Sequence, residues 1–213
     1  MREQRFPTPV RTDHLSGFSA ALYTQLARHR ARRLPGRRWL TRAVVAVVLR
    51  DDAALGPCVL LMRRALRSGD PWSGHMSFPG GRLSPDDVSG FHAAIREARE
   101  ETGLQLREDE YLGRLSDVMT RRHERPVPML VSPYVFRLER EPVWTLNHEA
   151  VETLWVPLGF LADTDNRSEL RWRVGPLNLR LPSYVYQGRT IWGLTLLMLK
   201  ELVRLYRRTG QGT

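Results

Sequence analysis

Apolar positions along the first part of the chain predict a helix followed by a strand hairpin. Residues 12–30 place apolar side chains at helical spacing, which predicts an amphipathic helix that ends near 34–36. The β-branched run at 43–49 is typical of a buried central strand, and the apolar run at 58–62 predicts the next strand. Aspartate, glycine and proline residues at 51–57 favour the turn that joins these two strands.

The rest of the chain continues this mixture of helical and strand patterns. Apolar side chains at helical spacing predict a helix at about 89–102, with Gly103 as its C-cap, and a last helix at about 193–207. Further strands are predicted near 111–119, 130–138, 152–156, 170–174 and 177–181. Helices interspersed with strands are typical of the α/β class.

Length and composition predict one globular domain. The chain has 213 residues, of which 42% are hydrophobic, and this is enough to bury a sizeable core. Its apolar runs stay below the roughly 18–20 residues of a membrane-spanning helix, and its N-terminus lacks an apolar signal segment. Cys58 is the only cysteine, which leaves no partner for an internal disulfide and favours a buried thiol. We therefore expect a cytoplasmic protein without a membrane partner.

The charge of the chain is strongly positive, and arginine supplies nearly all of it. The formal net charge is +10, and Lys200 is the only lysine. The densest basic cluster, at 28–33 and 37–38, is interpreted as a solvated helix end and linker, with contact to substrate phosphates or nucleic acid as the alternatives. No aromatic-interleaved basic stretch or nucleic-acid motif accompanies it, so we expect no specific nucleic-acid partner.

The strongest chemical signal is a group of glutamates in the helix predicted at 89–102. Glu97, Glu100 and Glu101 are three and four residues apart, so at about 100° per residue they share one helix face. Like charges at this spacing destabilise an isolated helix. A hard divalent cation compensates for such repulsion, because it takes carboxylate oxygens as ligands. We expect this face to be solvated.

The segment 81–104 resembles the Nudix box, the signature of hydrolases that cleave a diphosphate linked to a nucleoside. That box reads G-x5-E-x7-R-E-U-x-E-E-x-G-U, where U is apolar, and R-E-A-R-E-E-T-G-L at 96–104 matches its end throughout. Asp87 replaces the first glutamate, and one extra residue separates it from Gly81. Both departures resemble the coenzyme A pyrophosphatase branch of the family.

This resemblance covers roughly residues 39–205 and implies an α/β/α sandwich with a mixed β-sheet between helices. Residues 37–208 would form the Nudix hydrolase domain, and 1–36 an N-terminal amphipathic helix and basic linker packed on it. Residues 209–213 would form a flexible tail. The expected partner is a small nucleotide substrate, and the sequence leaves a homodimer open.

The resemblance also implies roles for the residues of the box. Glu97, Glu100 and Glu101 match the family's ligands for Mg²⁺ or Mn²⁺, and the Gly81 backbone carbonyl is expected to be another ligand. Arg96 matches the arginine that orients one of these glutamates through a salt bridge. We therefore count Arg96 and Glu100 among the expected catalytic residues.

A further acid usually comes from a loop beyond the box. The stretch 147–158 resembles the family element E-V-x4-W-V-P-L, and Glu149 lies six residues before Trp155, as in that element. Glu149 is therefore the expected general base or metal ligand. Glu152 is the alternative acid, and His148 is a weaker candidate.

Residues upstream of the box concern the substrate. The coenzyme A branch carries a pattern close to L-L-T-x-R-S-x3-R-x3-G-x3-F-P-G-G, and this chain matches its two ends. Asp70 stands where that pattern has an arginine that would read a phosphate of coenzyme A. Arg64 is the expected phosphate contact, because a guanidinium bonds phosphate in a bidentate manner. Phe78, Gly80 and Tyr184 are the other expected substrate-binding residues.

The sequence therefore predicts a metal-dependent Nudix diphosphatase. Coenzyme A or an acyl-CoA is the leading substrate, and the products are adenosine 3′,5′-bisphosphate and phosphopantetheine or its acyl form. A first alternative is hydrolysis of another nucleotide, such as ADP-ribose, NADH, a dinucleoside polyphosphate or a nucleoside triphosphate. A second alternative is a nucleotide sensor that uses the Nudix fold without turnover.

Overall fold

The structure is a computed structural model that describes residue 9 and residues 19–35, 39–66, 73–120, 128–174 and 177–210. Its helices are α1 (Ala20–Arg28), α2 (Gly90–Thr102), α3 (Leu158–Ala162) and α4 (Gly193–Arg207). Its strands are β1 (Thr41–Asp52), β2 (Gly56–Arg64), β3 (Met76–Ser77), β4 (Gly80–Arg82), β5 (Tyr111–Arg114), β6 (Val118–Thr120), β7 (Met129–Arg137), β8 (Ala150–Pro157), β9 (Arg167–Val174), β10 (Leu177–Tyr186) and β11 (Arg189–Trp192).

Strands β1 to β8 form one mixed sheet. Its central path runs β3-β2-β1-β7-β5, with β4 paired to β1, β6 to β7 and β8 to β2. The β1–β7 pair is parallel, and the other pairs of this sheet are antiparallel. Strands β9, β10 and β11 form a separate antiparallel sheet.

Strand β1 shows why the sheet is covered on both sides. Its side chains alternate between faces, so Val44, Ala46 and Val48 join the core under α2, while Val47 and Leu49 join the core under α1 and α4. A strand buried on both faces reads as a continuous apolar run, which explains the pattern at 43–49. The predicted α/β/α sandwich is confirmed.

Helix α2 begins and ends where its capping residues predict. The Ser89 hydroxyl accepts a hydrogen bond from the His92 backbone N–H, and Gly103 adopts φ 76°, the left-handed conformation that glycine tolerates at a C-cap. Phe91, Ala94 and Ala98 are buried against the sheet. The helix predicted at about 89–102 is confirmed, and packing of this apolar side turns its acidic side towards β4.

Some short elements differ from the sequence prediction. The strand predicted near 111–119 is two strands, β5 and β6, and between them the Asp117 amide donates to the Arg32 carbonyl, outside the sheet. The elements α3 and β11, of five and four residues, were not predicted, since runs this short carry little periodicity. The part of the predicted N-terminal helix at 12–18 and the turn at 175–176 lie outside the described residues.

Helix α1 packs against the sheet through buried Leu22, Tyr23 and Leu26. His29, just after this helix, contacts Glu201 of α4 with its Nε2 2.8 Å from Oε1. The domain boundaries at 36 and 208 stay predictions. In the part of the chain that the structure describes, no helix is long and apolar enough to cross a membrane.

Candidate active site

The acidic side of α2 is buried at one edge and exposed at the other. Glu101 is only 3% exposed, and the side chains of Glu97 and Glu100 are 14% and 53% exposed. The expectation that the whole face is solvated is therefore wrong for Glu101 and Glu97. Strand β4 packs over these two side chains. The hydrophobic periodicity of a helix does not indicate which other segment will pack against its polar face.

Two glycines of β4 let the backbone approach these carboxylates. The Gly80 N–H donates to Glu101 Oε2 at 2.7 Å. A Cβ added to Gly81 would overlap the Glu97 carboxylate, with Oε2 only 2.6 Å away. A Cβ added to Gly80 would overlap the Val44 carbonyl and lie 2.7 Å from Val45 Cα. Position 80 therefore requires glycine, because a Cβ there would meet backbone atoms, whereas a Cβ at position 81 would displace the Glu97 carboxylate.

Arg96 joins three carboxylates. Its Nε and Nη2 donate to Asp87 Oδ1 and Oδ2 at 2.9 and 3.0 Å, a bidentate pair. Its Nη1 lies 2.9 Å from Glu97 Oε1 and 2.9 Å from Glu100 Oε2. Arg96 thus has the geometry of the predicted orienting residue, with Asp87 fixing its plane.

Asp87 was not predicted as a site residue. Its position before the box was noted, but spacing alone does not show that its carboxylate holds Arg96. Hydrogen bonding to Arg96 lowers the Asp87 pKa, so this carboxylate stays ionised.

Burial perturbs the carboxylates on the inner edge of α2. It raises the pKa of Glu101 to about 8, opposed by the Gly80 N–H and reinforced by the charges of Glu97 and Glu149. Burial also raises the pKa of Glu97, and the Arg96 charge opposes this shift. A cation bound between Glu97 and Glu101 would favour their ionised forms. Its positive charge would offset the cost of burying the two carboxylates.

A cleft of about 890 Å³ opens beside this cluster, and we call it the main cleft. Predicted site residues line one part of it: Arg64, Phe78, Gly80, Gly81 and Glu149. Apolar side chains line another part: Met119, Met129, Leu194, Leu197 and Met198. The Ala65 amide donates to the Glu149 carbonyl at 2.8 Å, which ties the segment before β8 to the end of β2. The fold thus brings Glu149 and Arg64 to the same cleft as β4.

The structure does not bring every predicted residue to the main cleft. Tyr184 is buried elsewhere, and its hydroxyl donates to the Leu161 carbonyl at 3.1 Å, so its position is that of a packing residue. Glu152 pairs with Arg189 at 2.6 Å, which lowers its pKa, and it does not line the cleft. Asp70 lies outside the described residues.

The carboxylates fit a divalent cation in their chemistry. Oxygen donors suit Mg²⁺ and Mn²⁺, and Glu97 lies against the Gly81 backbone while Glu101 and Glu149 influence each other electrostatically. Among the residues described, no three His, Cys, Asp or Glu side chains already converge in a ligating arrangement. On binding a cation, Glu97 would exchange part of its contact with Arg96.

Comparisons with known proteins place the chain among Nudix proteins. The family described as NUDIX domain matches residues 39–173. The chain is 31% identical over 150 residues to a human protein named mitochondrial coenzyme A diphosphatase NUDT8, covering 70% of this chain and 63% of that protein. It is 29% identical over 152 residues to a Yersinia pestis protein named uncharacterized Nudix hydrolase NudL, covering 70% and 72% of the two chains.

A solved structure supports the fold. The crystal structure of a MutT/nudix family protein from Enterococcus faecalis matches with a TM-score of 0.55 at 17% identity, covering 93% of this chain and 71% of that chain. At this identity the likeness concerns the fold alone. The chain spans less than two thirds of the length of the human relative.

Proposed function

This chain belongs to the Nudix family of hydrolases, and on that premise we propose that it hydrolyses a diphosphate linkage in a nucleoside diphosphate derivative. The proposed cofactor is Mg²⁺ or Mn²⁺, and the leading substrate is coenzyme A or an acyl-CoA. Water adds to one phosphorus and the diphosphate bridge breaks. The products are adenosine 3′,5′-bisphosphate and phosphopantetheine or its acyl form.

One observation carries this proposal: buried carboxylates of α2 lie against the glycine backbone of β4 at the edge of a cleft that also contains an arginine. Glu97 and Glu101 are held there by Arg96 and by the Gly80 N–H. Removing two carboxylates from water is costly unless a cation or hydrogen bonds compensate. Structural packing alone gives no reason to bury both acids beside each other.

The residues of the site divide the work of the proposed reaction. A divalent cation, when bound by Glu97, Glu100, Glu101 and the Gly81 carbonyl, neutralises diphosphate charge and lowers the pKa of water. Arg64 lines the main cleft, and its guanidinium would bind a phosphate of the substrate. Glu149 accepts the proton of the attacking water, and Arg96 keeps Glu97 and Glu100 oriented without contacting the substrate.

Three features support coenzyme A or an acyl-CoA as substrate. The human relative carries the name of a coenzyme A diphosphatase. The segment 74–81 keeps the end of the coenzyme A pattern, and its Phe78 and Gly80 line the main cleft. The apolar part of the cleft, which contains Met119 and Leu197, suits a pantetheine or acyl chain, because ligand pockets combine apolar walls with a few polar groups.

Metal dependence tests the mechanism. Excess EDTA should abolish release of adenosine 3′,5′-bisphosphate from coenzyme A, and Mg²⁺ or Mn²⁺ added above the chelator should restore it. Circular dichroism in EDTA serves as the control that the chain remains folded. Undiminished turnover by the folded chain in EDTA would contradict the proposal.

Substrate choice tests the finer assignment. The aspartate at position 70 is expected to weaken recognition of the 3′-phosphate by like-charge repulsion, so coenzyme A and dephospho-coenzyme A should have similar kcat/KM. Asp70→Arg should raise kcat/KM for coenzyme A and leave dephospho-coenzyme A nearly unchanged. A strong preference of the unaltered chain for coenzyme A, insensitive to Asp70→Arg, would show that another residue reads this phosphate.

A wider panel separates the alternatives. Cleavage of ADP-ribose, NADH, dinucleoside polyphosphates or nucleoside triphosphates, without cleavage of either coenzyme, would move the assignment to another nucleotide. Binding of these compounds without any turnover would favour the sensor. The cytoplasmic location and the homodimer stay predictions.

A further inference from the structure

A second cavity, of about 560 Å³, lies between α4, α3 and the β9–β10 hairpin. Among the residues that the structure describes, its lining shares none with the main cleft, because neighbouring residues of α4 point to different sides. Leu194, Leu197 and Met198 line the main cleft, whereas Leu199 and Val203 line the second cavity. Buried apolar side chains form its floor: Leu161, Leu196, Leu199 and Val203.

The lining of the second cavity carries cations and no carboxylate. Its charged residues are Arg167, Lys200, Arg204, Arg207 and Arg208, and no Asp or Glu is found among the described residues that line it. Lys200 and Arg204 are four residues apart on α4, a spacing at which like charges repel. Neither side chain has a carboxylate partner within the described ranges of the chain.

A buried hydroxyl in the cavity wall also requires a partner. Ser183 is 2% exposed and lines the cavity, and its Oγ has no hydrogen-bond partner among the residues that the structure describes. The neighbouring Tyr184 lines the same cavity and donates its hydroxyl to the Leu161 carbonyl. Buried polar atoms are nearly always paired, so Ser183 leaves an unused hydrogen-bonding group behind this wall.

We propose that the second cavity binds an anionic amphiphile, a molecule with one phosphate or carboxylate head and an apolar body. The head would contact Lys200 and Arg204, since charge-assisted hydrogen bonds to such groups are strong. The apolar body would cover the floor formed by Leu161, Leu196, Leu199 and Val203. This proposal does not depend on the reaction in the main cleft.

The cationic side chains and the apolar floor of the second cavity together favour a ligand that has both an anionic and an apolar part. A bare phosphate would leave the apolar floor exposed to water, and a neutral apolar molecule would leave the repulsion between the cations uncompensated. A cavity of this volume lies within the range of small-molecule sites, so one short chain with its head group fits.

Calorimetric titration of the full chain with decyl phosphate, below its micelle concentration, tests the proposal. We expect a decyl phosphate site that binds at least tenfold more tightly than inorganic phosphate or decanol, and the variants below distinguish it from binding in the main cleft, which also combines an arginine with apolar walls. Equal affinity for inorganic phosphate would overturn the proposal, because the floor would then contribute nothing.

Two variants and a matched control locate the binding site. The double variant Lys200→Gln/Arg204→Gln and the floor variant Val203→Phe should each weaken decyl phosphate binding at least tenfold. Arg171→Gln removes an exposed arginine of β9 outside the lining and should change affinity less than twofold. Equal weakening by Arg171→Gln would show a general charge effect. If Val203→Phe fails to fold, the double variant still decides, because it changes only exposed side chains.

Vesicles distinguish a free amphiphile from a lipid head group. The chain is sedimented with vesicles of phosphatidylcholine and phosphatidic acid. If it binds decyl phosphate and also sediments, and the double variant abolishes the sedimentation, then a membrane lipid supplies the anionic head and the apolar chain. Binding of decyl phosphate without sedimentation would identify a free amphiphile. Sedimentation without decyl phosphate binding would overturn the cavity site.

Discussion

The main cleft and the second cavity differ in how their polar groups are satisfied. Beside the main cleft, where α2 meets β4, the protein supplies the partners: Gly80 donates to Glu101, and Arg96 contacts Glu97. In the second cavity Ser183, Lys200 and Arg204 find no such partner within the described residues. The first region is therefore preorganised by its own chain, whereas the second depends on water or a ligand.

This difference shows that net charge does not determine the chemistry of a site. The chain carries a formal charge of +10, yet the α2 carboxylates Glu97, Glu100 and Glu101 cluster beside its main cleft, which Glu149 lines. The two regions lie on different sides of α4, close enough to share a helix but without shared lining residues. Local packing decides which charged side chains come into contact, and substitutions in the two regions should therefore have separate effects.

The largest expected effect concerns the inner edge of α2. Glu101→Gln should lower kcat for coenzyme A by roughly 10²-fold or more, the scale of a lost metal or positioning interaction. Glu100→Gln removes another proposed cation ligand, on the exposed edge, and we expect a smaller loss of kcat, since its side chain is half exposed. Steady-state kinetics at saturating Mg²⁺ measure both. Turnover by Glu97→Gln, Glu100→Gln and Glu101→Gln all within a few-fold of the unaltered chain would show that these carboxylates are dispensable.

A smaller but still large effect is expected at the glycine turn. Gly81→Ala should lower turnover about tenfold or more, because the new Cβ displaces the Glu97 carboxylate. The displaced atoms are the end of a flexible side chain, so the fold should persist. Gly159→Ala in α3 is the control, since its nearest neighbour, the Tyr206 hydroxyl, is 3.9 Å away. Normal turnover by Gly81→Ala would show that Glu97 can move without loss.

The smallest effect concerns two buried serines and is measured as stability. Ser132 is 1% exposed and donates to Asp117 Oδ1 at 2.8 Å, so Ser132→Ala should lower the free energy of unfolding by about 1–3 kcal/mol. Ser183→Ala, in the second cavity, should change it by less than about 1 kcal/mol, because this hydroxyl has no hydrogen-bond partner within the described part of the chain. Urea denaturation compares the two variants. Equal losses would show that Ser183 has a partner of similar strength.

Several features of the fold follow directly from local sequence. The limits of α2 depend on Ser89 and Gly103, whose side-chain cap and left-handed φ act within a few residues, and the observed helix agrees with the prediction. The core position of β1 follows from an apolar run that both sheet faces bury. The break between β5 and β6 was not predictable from local sequence, because the Asp117 amide there bonds the Arg32 carbonyl, which is distant in the chain.

The sequence by itself determined the Nudix family, the α/β/α sandwich and the residues of the box, because caps, periodicity and motif spacing are local properties of the chain. Only the tertiary structure decided that Glu101 is buried while Glu100 is exposed, and that Asp87 holds Arg96. It also decided that Tyr184 lies in a cavity lined by cations rather than in the main cleft. Burial and charge pairing depend on which distant segments cover a side chain, and that cover is a property of the packed fold.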